Sequence, residues 1–76
     1  MNKQRRKSLA DAVELLERAK SIIEEVAEEE REAFDNLPEG LQYSEKGEQM
    51  EEYADNLDEF FSTIEETVEG LDEIIG

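Results

Sequence analysis

The sequence predicts an all-α fold, an antiparallel two-helix hairpin that dimerises into a four-helix bundle, with residues 1–76 forming one domain. Three observations carry this. All twelve acidic residues from Glu45 to Glu73 fall on three positions of a seven-residue repeat. The same sorting recurs, less completely, from Leu9 onward. Between the two stretches lies a segment holding the one proline of the chain, Pro38, and Gly40. A strand cannot sort residues this way, because its faces alternate with period two, whereas a helix returns to the same face every three to four residues.

Helix 1 is expected over about 8–35, with Lys3 as an earlier possible start. With the repeat lettered so that Leu9, Leu16 and Ile23 occupy position a, position d holds Ala12, Ala19, Val26 and Ala33. Leu15 and Ile22 add apolar groups at g, and Val13, Ala27 and Phe34 add them at e. The pattern breaks at Glu29 (g) and Glu30 (a), so the buried stripe narrows before the helix ends.

The connection is expected over 36–43. Pro38 disfavours helix at Leu37 and lacks a backbone donor, and Gly40 readily takes a left-handed conformation. Ser44 is a good N-cap for helix 2, expected over about 44–75, although Gly47 weakens its first turn. In that helix Met50, Leu57, Ile64 and Leu71 take position a. Tyr53, Phe60, Thr67 and Ile74 take d, while Ala54, Phe61, Val68 and Ile75 take e. Asn56, Thr63 and Gly70 at g are uncharged, and every acid lies at b, c or f.

A short turn makes the helices antiparallel neighbours. Two packed helices bury one stripe each, yet here e and g are also largely apolar. Leu15, Ile22, Phe61, Val68 and Ile75 are therefore expected to form an oligomer interface. So small a two-helix core rarely offsets the entropy of ordering its chain, and a homodimer or higher oligomer is the expected solution.

Composition bounds the function. The formal net charge is −15, from 23 acids and 8 bases. Phosphate backbones and anionic membrane surfaces are poor partners for such a chain, so no direct DNA binding and no membrane association are expected. Basic proteins are suitable partners. With no Cys and no His, disulfides, thiolate metal sites and the commonest general base are excluded, and no cofactor is expected. The stretch 35–46 fails as a calcium loop, since Leu37 and Lys46 stand where oxygen ligands are needed. No apolar run reaches the length of a signal peptide or a membrane span, so a cytoplasmic location is expected. No serine has a base in the sequence to activate it, and no catalytic residue is assigned.

Four features remain as candidates for recognition. At the loop end, Phe34, Leu37, Leu41 and Tyr43 crowd apolar groups together, either as a cap on the bundle or as a partner-binding patch. On helix 2, Glu51, Glu52, Asp55, Asp58, Glu59, Glu65, Glu66 and Glu69 build an acidic surface. It is either a solvated face or an imitation of a phosphate backbone, its charges spaced about 4 Å apart against 3.4 Å along a DNA strand. The basic start contains Arg5 and Arg6, which either clasp Asp72, Glu73 and the C-terminal carboxylate, or fray as a tail, or capture an anion. The broad apolar stripe is the fourth.

The stretch from Asp35 through Leu37-Pro38-Glu39-Gly40-Leu41-Gln42-Tyr43 to Gly47, with Met50-Glu51 after it and the Lys/Arg-rich start, resembles small acidic helical proteins encoded by phages and prophages. The resemblance implies a mobile-element setting and action in the host cytoplasm. In that setting small acidic proteins often inhibit host defence or DNA-handling proteins. It carries no catalytic residues.

Overall fold

The computed structural model describes residues 1–76, and the protein is all-α with no strand. Three helices follow in order: α1 (Lys3–Asp35), α2 (Glu39–Gln42) and α3 (Glu45–Ile75).

α1 begins at Lys3 rather than near residue 8 because Asn2 caps it. The Asn2 side-chain oxygen accepts from the Arg5 amide at 2.8 Å, satisfying one of the free amides of the first turn. Its other end is closed by the Asn36 amide, which donates to the Glu32 carbonyl at 3.0 Å. Pro38 then turns the chain out with an extended ψ of 144°. The connection is not a plain loop. The Pro38 carbonyl accepts from the Leu41 and Gln42 amides, folding residues Glu39–Gln42 into one helical turn. The Gln42 side-chain amide reaches back to the carbonyls of Phe34 and Leu37, each at 3.2 Å. One side chain thus adds a donor to the Phe34 carbonyl in the last turn of α1 and gives the Leu37 carbonyl beyond that helix a partner.

Two glycines behave differently from expectation. Gly40 sits inside α2 with negative φ, and the chain has positive φ only at Gly76. Gly47 is buried in the first turn of α3, which starts at Glu45 despite it. The Ser44 hydroxyl caps that turn, accepting from the Gly47 amide at 3.3 Å. A β-carbon at 47 would stand 2.7 Å from the Leu41 carbonyl oxygen and nearer still to that of Gln42. Glycine here permits a close approach between α3 and the end of α2, which its low helix propensity alone does not suggest.

The two long helices lie side by side. α1 alone is roughly 50 Å long at 1.5 Å per residue, and the whole molecule extends only 58 × 14 × 13 Å. Their directions are opposed, since contacts that rise along α1 fall along α3. Lys20 pairs with Glu65, and Arg31 pairs with Asp55 and Asp58. The Lys20 ammonium also lies 5.3 Å from the centre of the Phe61 ring.

The seam between these helices uses positions a and e. On α3 it runs Gly47, Met50, Ala54, Leu57, Phe61, Ile64, Val68, Leu71 and Ile75, every one buried or half-buried. On α1 it runs Leu9, Val13, Leu16, Lys20, Ile23, Ala27, Glu30 and Phe34. This corrects the expected oligomer interface. Phe61, Val68 and Ile75 are taken up by the chain's own other helix, and Val68 is only 6% exposed. The physical reason is bulk. Toward the loop end, position e of α3 offers Gly47 and Ala54, which let the helices approach, whereas position d offers Lys46 and Tyr53; farther along, the two rows are alike in size at Phe60 and Phe61 and at Ile74 and Ile75. Only Ala27, Gly47, Ala54 and Val68 are fully buried, and no large side chain is enclosed.

Candidate interaction surface

With a and e committed to the seam, the d and g rows of both helices become free. In an antiparallel pair the same-lettered flanks fall on the same side, so the d and g rows of α1 and α3 make one face and the b rows make the opposite edge. The ion pairs agree with this geometry. Glu17, Arg31, Asp58 and Glu65 are b residues, and Asp55 is the adjoining f residue; no d or g residue enters an ion pair.

The d/g face is apolar and open. Leu15 and Ile22 at g, and Val26, Tyr53, Phe60 and Ile74 at d, are each 43–63% exposed. These six are most of the large apolar side chains that the chain leaves exposed. Between them lie Ala12, Ala19, Ala33, Asn56, Thr63, Thr67 and Gly70, small or uncharged groups. Glu29 is the one acid in these rows; Arg5 and Lys46 are the bases, one near each end of the face. Scattered exposed apolar residues need no explanation, but a contiguous charge-poor row on a chain of net charge −15 does. Leu15 and Ile22, expected at an oligomer interface, lie exposed on this face. Val26, Tyr53, Phe60 and Ile74 do not enter the seam that the heptad lettering suggests for them. Their signal is present in the sequence, since d and e are both apolar on helix 2, and the two rows differ clearly in bulk only at Lys46 against Gly47 and Tyr53 against Ala54.

The loop end divides. Phe34 and Leu37 are half-buried and seal the junction of α1 with α3, while Leu41 is 51% exposed and Tyr43 78%. A small cleft of about 150 Å³ opens nearby between Arg31, Phe34, Asp35, Met50, Glu51 and Ala54. Pockets that hold small organic ligands are typically about 300–1,000 Å³, so this end suits a macromolecular contact better than a small molecule.

The acidic surface is partly neutralised. Arg31 holds Asp55 at 3.3 Å and also Asp58, and Lys20 lies 3.9 Å from Glu65. The hydrogen bonds that Arg31 donates to Asp58 and then to Asp55 raise its guanidinium above its ordinary pKa. Glu51, Glu52, Glu59, Glu66 and Glu69 are exposed and enter no ion pair. At the other end, Arg5 and Arg6 are exposed, and neither forms an ion pair with Asp72 or Glu73. The clasp expected there does not form; these residues continue α1 instead.

Fold and surface together define an all-α, strongly acidic protein with one open apolar face, and no helix in it is long and apolar enough to cross a membrane. No protein-family model matches the chain, and comparison with curated proteins and with solved structures likewise finds no match.

Proposed function

We propose that this is a non-enzymatic interaction protein, a helical hairpin that pairs with a second copy into a four-helix bundle and binds a macromolecular partner. The observation that carries the reading is the continuous d/g face, with Leu15, Ile22, Val26, Tyr53, Phe60 and Ile74 exposed and Glu29 its one acid. Covering this face with its own copy buries the apolar row and leaves both acidic surfaces in water. Specific recognition of a further protein then falls to the loop ends, where Leu41 and Tyr43 project. In the phage setting implied by the loop segment's resemblance, the bound partner is a basic host protein that this chain inhibits in the host cytoplasm.

A second reading is supported by the unpaired carboxylates of α3. Glu52, Glu59 and Glu66 at c, with Glu51 and Glu69 beside them, form a row able to occupy a groove built for phosphates, as an anti-restriction inhibitor would. Salt separates the two readings. Mass measurement of the free protein tests the dimer, with a single-chain mass at micromolar concentration counting against it. Pull-down from host lysate at low and high salt then tests the partner contact. Capture that survives salt and is abolished by Leu41→Asp supports the loop-end reading; capture lost steeply with salt and indifferent to Leu41→Asp supports mimicry. Anion capture by the basic arms is the weakest reading, and unchanged anion binding after neutralising Arg5 and Arg6 removes it.

A further inference from the structure

We infer that the two copies pair in opposite directions, about a twofold axis perpendicular to the long dimension. The basic start of each then lies over the acidic loop end of the other. The inference rests on the dimer proposed above and adds its orientation and the residues that set it.

The first observation is symmetry in the rows. Ala19 is the middle residue of α1 and Phe60 the middle residue of α3, and both occupy position d. They lie at the same level of the molecule, because Lys20 sits over Phe61. An axis through this level, in the plane of the apolar face, stacks α1 on its own copy and α3 on its own copy. Leu15 then meets the second copy's Ile22, and Tyr53 meets its Thr67, a large side chain against a smaller one. The Gly70 position, which has nothing within 4 Å of a β-carbon inside one chain, lies opposite Gln49.

The second observation is charge. α1 carries its charges against its own dipole: no acid stands in its first turn and no base in its last. Lys3, Arg5, Arg6 and Lys7 occupy one end, and Glu28, Glu29, Glu30 and Glu32 crowd the other. None of these eight forms an ion pair within the chain. A reversed copy of α1 satisfies both ends at once, bringing Arg5 toward the end that carries Glu29. Lys46, at d near the start of α3, meets the C-terminal turn of the copy's α3, where Asp72 and Glu73 lie and the dipole is negative. Pairing in the same direction would instead collect both loop ends, and all their carboxylates, at one end of the bundle.

Distance between loop ends tests this directly. Gly40 is exposed, and a β-carbon there meets nothing within 4 Å, so Gly40→Cys provides a spin-label site in a chain with no other cysteine. The expected result is a label separation near the molecular length of 58 Å. A separation of roughly 20 Å, about two helix diameters, in a species of dimer mass would overturn the orientation while leaving the dimer standing. Absence of dipolar coupling together with a single-chain mass would overturn the dimer itself. Ala19→Cys supplies an independent reading. At the axis it should form an interchain disulfide on mild oxidation, whereas in the same-direction bundle the two positions lie diagonally across the core and stay reduced.

Discussion

At Gly47 a β-carbon would collide with backbone carbonyls of Leu41 and Gln42, whereas at Gly40 it would meet open space. Backbone atoms held in a helical turn cannot swing aside as a flexible side chain can. Gly47→Ala is therefore expected to destabilise the protein by about 1–3 kcal/mol, the usual range for overpacking. Gly40→Ala, at a helical position with negative φ, is expected to stabilise it by roughly 0.4–1 kcal/mol by restricting the unfolded chain. Urea unfolding of the two variants measures both signs, and equal effects would mean that α2 does not pack on α3 as described. Ser44→Ala removes the cap on the Gly47 amide and should cost about 1 kcal/mol in the same assay.

The division of the apolar residues between two faces belongs to the scale of the element. Helix content, the break at Pro38 and the Ser44 cap are all legible in the sequence, because periodicity, proline and capping act locally. Which rows close the seam is not. On α3 the d and e rows are both apolar, and the heptad lettering favours d because coiled coils use it. The choice of e depends on how closely two backbones can come, which the small residues Gly47, Ala54 and Ala27 decide jointly across helices far apart in sequence. Lys20 at e reads as an interruption. Its stem lies along the seam while the ammonium reaches Glu17 at 3.1 Å and Glu65, so it fills the row without burying charge. The helical turn of α2 is hidden in the sequence as well, since Gly40 reads as a turn residue until the hydrogen bonds to the Pro38 carbonyl are seen. The two faces respond differently to the same insult. Val68→Asp places a carboxylate inside the seam and is expected to abolish cooperative unfolding, seen as lost helical circular dichroism at 25 °C. Phe60→Asp places it on the open face and is expected to convert the dimer to single chains, read by sedimentation, with less loss of helix. A Phe60→Asp protein of unchanged mass would show that the d/g face is not where copies meet.

Over the whole molecule, a net charge of −15 makes self-repulsion the electrostatic effect expected to dominate. Each chain carries a net charge of −15 on a body only 14 × 13 Å across, and the proposed pairing would double the charge along one rod. Opposing charges can offset this only where they are close: Arg31 with Asp55 and Asp58, Lys20 with Glu17 and Glu65, and, in the proposed dimer, the basic starts against the second copy's loop ends. Exposed pairs of this kind contribute little individually. The repulsion is a sum over many carboxylates at separations near the Debye length, the range that added salt screens most effectively. Raising monovalent salt from about 0.01 M to about 1 M shortens that length from roughly 30 Å to 3 Å. The melting temperature is therefore expected to rise with salt. It should also rise with protein concentration, because the proposed dimer ties the folded state to association. Neutralising the starts, by Arg5→Gln with Arg6→Gln, should make the low-salt protein less stable and the salt response steeper, since repulsion then lacks its nearest offset. A melting temperature that falls as salt is added would mean that the few ion pairs outweigh the carboxylate repulsion, and the assignment of the acids to solvated outer flanks would have to be abandoned.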